Sequence, residues 1–253
     1  MARDFDGSSG YLSIGDPSRL NITTGNCTIF AWINLDAGPA AVSAGIMARS
    51  NAGSPSKLIG LEITTARLLR FELYDGTNNP FANGTTTLDG IGWRAVAGAR
   101  DSGTLRAYVS GTQEGSASDT AGDVSGASQT WRIGSRPDLF GDYMNGRIAE
   151  VAIWSVALTA GEHTALAAGV SPLLIRPASL LGYWPIWGTS SPEIERMAAN
   201  AGTVTGTAPV SAHPRIAYPV SPAILRQIAA GGASVVGRGL LDGKLLQPRR
   251  LVG

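Results

Sequence analysis

The chain has one cysteine and two histidines among its 253 residues, and that scarcity removes several kinds of protein at once. Cys27 has no second thiol to pair with inside the chain, so folding rests on packing and not on an internal disulfide. Cys27, His163 and His213 together fall short of the four ligands that a closed zinc site of Cys and His needs. Nowhere do eighteen apolar residues run consecutively, and the opening MARDFDGSSGYLSIG lacks the apolar centre of a signal peptide. The expectation is a protein made in a cytoplasm that works without a membrane. The triplets at Asn21, Asn26 and Asn83 that match the glycosylation pattern are then chance features of a Thr- and Asn-rich chain. Charge is scarce as well: 15% of residues carry it, and 20 Lys and Arg stand against 19 Asp and Glu. No global field draws such a chain onto nucleic acid.

What the chain has in quantity is glycine and proline, 33 and 14 residues, beside 43% hydrophobic residues. That mixture favours short strands joined by tight turns over long amphipathic helices, and the length suits one large β-sandwich. Period-two alternation marks the strands. Over 67–74, Leu69, Phe71 and Leu73 share one face and Arg70, Glu72 and Tyr74 the other, with Asp75-Gly76 as the following turn. Residues 93–100 and 104–109 read as a hairpin closed by the three-residue connection Asp101-Ser102-Gly103. Residues 28–35 are apolar on both faces, which places them in the middle of a sheet covered on both sides. One short helix follows a strand over 147–154: Thr159 and Glu162 form a capping box and Gly169 a stop. Further strand-like pieces lie at 180–184 and 203–207.

Beyond residue 218 the character changes. Gly231, Gly232, Gly237, Gly239 and Gly243 interrupt every apolar run, and five basic residues stand against Asp242 alone. This divides the chain into a sandwich, 1–218, and a Gly-rich basic arm, 219–253. By composition the arm is a flexible tail or a clasp that lies on a partner, with Leu240, Leu241, Leu245, Leu246, Arg249 and Arg250 as its binding groups.

Four pieces in order resemble the laminin G-like, concanavalin A-like jelly-roll superfamily. FDGSSGYLSIG resembles its first strand, CTIFAWINL its sheet-centre strand, GWRAVAGARDSGTLRAYVSG its central hairpin, and FGDYMNGRIAEVAIWSVALTAGEHTAL its closing strand and helix. The resemblance implies an all-β jelly-roll sandwich of two antiparallel sheets. Two positions depart from the pattern: Ser110 stands where many members have Asp before the glycine, and Arg94 where many have His after the tryptophan. The family's ligand residues therefore do not carry over directly. The stretch GVSPLLIRPASLLGYWPIWG, with Ala212-His213-Pro214 later, resembles tails of such domains among bacteriophage structural proteins. It implies a virion component.

Candidate chemistry is thin. A glycosidase needs two carboxylates ~5–5.5 or ~6.5–9.5 Å apart, and the closing strand carries Glu150 alone. His163 in the helix and His213 beside a proline sit in no nucleophile motif. Asp75, Asp89, Asp119, Asp123, Asp138 and Asp142 are loop acids that some relatives' analogues use for Ca2+, yet they show no metal spacing and read first as turn formers. Trp32, Trp93 and Trp154 read as core, while Trp131, Tyr143, Trp184 and Trp187 are freer to stack on sugars. The sequence thus points to a non-enzymatic virion protein, a capsid decoration or cement component attached through its arm to capsid proteins and homo-oligomeric. The alternative is a lectin-like module that binds surface glycans through Asp75, Asn78 and Tyr143.

Overall fold

A computed structural model of the chain describes residues 2–36, 43–51, 56–138, 142–197, 200–210 and 212–219. The chain divides into a unit Met1–Tyr218 and a unit Pro219–Gly253, and every described strand and helix belongs to the first. Leu240, Leu241, Leu245, Leu246, Arg249 and Arg250 lie outside the described residues.

The strands in chain order are β1 (Ala2–Asp6), β2 (Tyr11–Gly15), β3 (Cys27–Leu35), β4 (Ala44–Ser50), β5 (Leu58–Ile63), β6 (Leu69–Tyr74), β7 (Phe81–Asn83) and β8 (Arg94–Asp101). After them come β9 (Thr104–Val109), β10 (Thr112–Ser118), β11 (Thr130–Ile133), β12 (Asn145–Trp154), helix α1 (Ala160–Ala167), β13 (Leu180–Trp184), β14 (Thr203–Thr205) and β15 (Ala208–Val210). They form two antiparallel sheets. The first runs β10-β9-β8-β3-β12-β1-β15, with β13 also on β12, and the second runs β14-β2-β11-β4-β5-β6-β7. This is the all-β jelly-roll sandwich that the resemblance implies.

Period-two alternation delivers the core. Ile29, Ala31 and Ile33 of β3 and Ile148, Val151 and Ile153 of β12 meet Leu61, Phe71 and Trp131 of the second sheet in one buried cluster. Gly98 of β8 fits this packing by having no side chain: a Cβ there would sit 2.2 Å from the ring of Phe71. The same core takes in Trp131 and Trp184, both 0% exposed, so neither is free to meet a ligand.

Local turn chemistry corrects three expectations. The β8–β9 connection is a two-residue turn, since Asp101 pairs with Thr104 and both Ser102 (φ +47°) and Gly103 (φ +83°) are left-handed. Two positive φ values are what the primed hairpin turn requires. The strand expected from residue 67 begins at Leu69, because Arg67 (φ +63°) belongs to the turn closed by its N–H to Thr64 O at 2.8 Å. The opening FDGSSGYLSIG is two strands in different sheets, β1 and β2, and not one. Asp6 makes the crossing by accepting the N–H groups of Ser8, Ser9 and Gly10 at 2.8–2.9 Å. Helix α1 has its capping box as read: Thr159 Oγ1 accepts from Glu162 N, and Glu162 Oε2 accepts from Thr159 N at 2.7 Å.

Candidate functional site

The site grows from the outer face of β3 and β12. Between the pairs Ala149–Trp32 and Ala152–Phe30, β12 carries two residues where β3 carries one. The extra residue is a bulge, and Glu150 occupies it with φ +57° and no exposed surface. A left-handed backbone on a non-glycine residue costs of order 1–3 kcal/mol, so the surroundings must hold it. They do: Glu150 N donates to Pro185 O at 3.1 Å, and its carboxylate accepts Tyr183 OH at 2.5 Å and Tyr218 OH at 2.6 Å. Burial first and Glu150 second push both phenols well above the usual tyrosine range, so both stay protonated as donors.

The segment around residues 213–218 reaches this carboxylate from far along the chain. Ala217 N donates to Gly169 O at 2.7 Å and Ser171 N to Ala217 O at 3.2 Å, which ties the segment to the end of α1. His213 Nε2 stands 3.3 Å from Glu150 Oε1, while its Nδ1 is 2.7 Å from Pro214 O. Both ring nitrogens therefore face oxygen acceptors.

Beside this network opens a cleft of about 390 Å³. Trp32 and Trp93 line it with Ala168, Gly169, His213 and Arg215. Contrary to the core reading, both indoles are half-buried, and only Trp154 of the three is fully enclosed. The reason for Trp32 is local: its cross-strand neighbours on both sides, Ala95 and Ala149, are too small to cover the ring. Trp93 precedes β8 and lies outside the sheet. Two partly exposed indoles with basic and backbone polar groups nearby can stack on the apolar face of a ring and hydrogen-bond its substituents.

The loop residues singled out in the sequence lie elsewhere. Asp75 Oδ1 accepts the N–H groups of Thr77 and Asn78 at 2.8 and 2.7 Å, and Oδ2 accepts Gly122 N at 2.7 Å and Asn78 Nδ2 at 3.1 Å. Those backbone bonds hold the Asp75 carboxyl below the usual range. Tyr143 packs on Tyr11 of β2 with ring centroids 6.4 Å apart. Strands β11, β4 and β5 separate β2 from β6, so the structure does not bring Tyr143 to Asp75 and Asn78.

The other loop acids also have partners. Asp89 bonds Arg67, Asp119 bonds Arg100, and Asp123 accepts Ser125 N. Asp138 and Asp142 flank Arg136, at 3.1 and 3.8 Å, and Arg136 also reaches Glu62 at 3.2 Å. Burial pushes Glu62 up to about 8, against the pull of Arg136. Among the described residues no group of three or more His, Cys, Asp or Glu side chains is placed to hold a metal ion.

Comparisons with known proteins agree with this architecture. A proposed carbohydrate-binding protein of Bacteroides ovatus ATCC 8483 aligns with a TM-score of 0.64 and 22% identity, over 85% of this chain and 61% of its own. The chain thus spans under two thirds of that protein's length. The CBM40 of the Ruminococcus gnavus IT-sialidase, bound to α2,3-sialyllactose, aligns at 0.54 and 17% identity, over 66% of this chain and 98% of its own. Domain 4 of a GH43 extracellular arabinanase from Geobacillus stearothermophilus, in complex with arabinotriose, aligns at 0.50 and 19% identity, over 66% and 76%. At these identities the likeness is one of fold. No curated protein sequence matches the chain. The family model described as the concanavalin A-like lectin/glucanases superfamily, of laminin G type, matches residues 6–162, more than half of the sequence, and the chain belongs to that superfamily.

Proposed function

We propose that the chain is a non-catalytic carbohydrate-binding module whose saccharide site is the cleft between Trp32 and Trp93. The observation that carries this reading is the pair of half-buried indoles at a cleft whose other walls are His213, Arg215 and the backbone at Gly169. An indole covers the C–H face of a pyranose, and the polar groups at its edge select hydroxyls and substituents. The fold's relatives that hold saccharides support the same reading. Glu150 does not act as a catalytic acid in it: the carboxylate is fully buried and occupied by two phenols.

Glycan binding is favoured over attachment to a virion because proteins of the same fold hold saccharides. The test is a glycan-array screen followed by calorimetric titration of the hits against the whole chain and its Trp32→Ala and Trp93→Ala variants. Binding that falls at least tenfold in both variants supports the cleft. Binding unchanged in both moves the site elsewhere.

A further inference from the structure

We infer that the cleft selects an acidic saccharide, with Arg215 as the group that holds the sugar's carboxylate. The inference rests on the carbohydrate-binding reading of the same cleft. Its starting point is a contrast among the arginines. Arg3, Arg49, Arg67, Arg70, Arg100, Arg106, Arg136, Arg147 and Arg176 each pair with a carboxylate. Arg19 and Arg94 donate to carbonyls, while Arg132 and Arg196 lie over the rings of Tyr11 and Trp187. Arg215, exposed at the cleft, has no ion pair, hydrogen bond or ring partner among the described residues. Among the described residues, that leaves one guanidinium uncommitted, beside two indoles.

Among the described residues, the cleft lining contains no carboxylate to repel an anion. Glu150 lies behind it, but both its oxygens accept phenol hydroxyls and His213 stands between it and the opening. The C-terminal end of α1 at Ala167 and Ala168 opposes an anion with a partial charge of at most about −0.5, and an eight-residue helix supplies less. Arg215 carries a full charge in a planar fork that matches a carboxylate with two parallel N–H···O bonds. The balance favours the anion. The indoles then take the apolar face of the ring, and the guanidinium takes its carboxylate.

The experiment titrates the whole chain with three matched oligosaccharides, one neutral, one carrying a uronic or sialic carboxylate and one sulfated, at low and high salt. The expected result is that the carboxylated ligand binds at least tenfold more tightly than the neutral one. That preference should disappear in Arg215→Gln and shrink as salt rises. Neutral and carboxylated ligands binding alike, or Arg215→Gln leaving the preference intact, would overturn the inference while keeping the carbohydrate-binding reading. A preference for the sulfated ligand over the carboxylated one would overturn the carboxylate assignment. Loss of all three in Trp93→Ala locates the site independently of Arg215, and absence of any saccharide binding by the unaltered chain would remove the reading itself.

Discussion

Replacing Trp154 and Trp32 separately with alanine should give two different costs, although the two residues lie on neighbouring strands and read alike in the sequence. Trp154 has no exposed surface, meets Phe30 edge-on at 6.5 Å, and donates its indole N–H to Ile175 O at 2.8 Å. Removing a fully buried tryptophan costs about 3–5 kcal/mol, and the orphaned carbonyl adds about 1 kcal/mol. Trp32 is half-buried between two alanines and makes no such hydrogen bond among the described residues, so its removal gives up roughly 1–2 kcal/mol of apolar contact. Urea denaturation with a common slope measures both. The midpoint should fall at least twice as far for Trp154→Ala as for Trp32→Ala. Equal falls would mean that Trp32 is a core residue after all, and a near-native Trp154→Ala would contradict the register of β12 and β13.

Three further outcomes follow from the same packing. Gly98→Ala forces a Cβ to 2.2 Å from Phe71 and should cost about 2–3 kcal/mol, with Phe71→Leu in the same chain recovering part of it; simple additivity would refute the close approach. Glu62 is raised from 4.5 to about 8 by burial, so its contribution to stability is full below about pH 4.5 and is lost as pH rises through 8. Glu62→Gln should flatten that decline in a series of melts from pH 5 to 9, and an unchanged profile would contradict the assignment. Prolonged incubation with saccharides that bind should release no reducing ends; release that disappears in Glu150→Gln would show a catalytic carboxylate.

Most strands were legible because alternation and turn residues are local. Leu69, Phe71 and Leu73 face one way whatever lies opposite, and Thr159 caps α1 through a residue three positions on. What alternation does not tell is which face is covered. Trp32 and Trp154 both sit on the outer side of the first sheet, yet Trp154 lies under the 175–180 segment while the cross-strand neighbours of Trp32 are the small Ala95 and Ala149. Nor does local pattern expose Glu150, whose bulge is visible only in the mismatch of register between β12 and β3. His213 and Tyr218 come to that bulge across more than sixty residues of chain, a closure set by tertiary packing. Asp75 and Asn78 drew notice as polar loop residues, and their polarity serves the loop's own turn.

The central claim is that saccharide enters between Trp32 and Trp93, and indole N–H resonances test it most directly. The chain has six tryptophans, of which Trp131, Trp154 and Trp184 have no exposed surface. Titration with a saccharide that binds should shift the Trp32 and Trp93 indole signals, assigned by single substitution, and leave those three in place. A saturable saccharide that moves neither of the two would contradict the account.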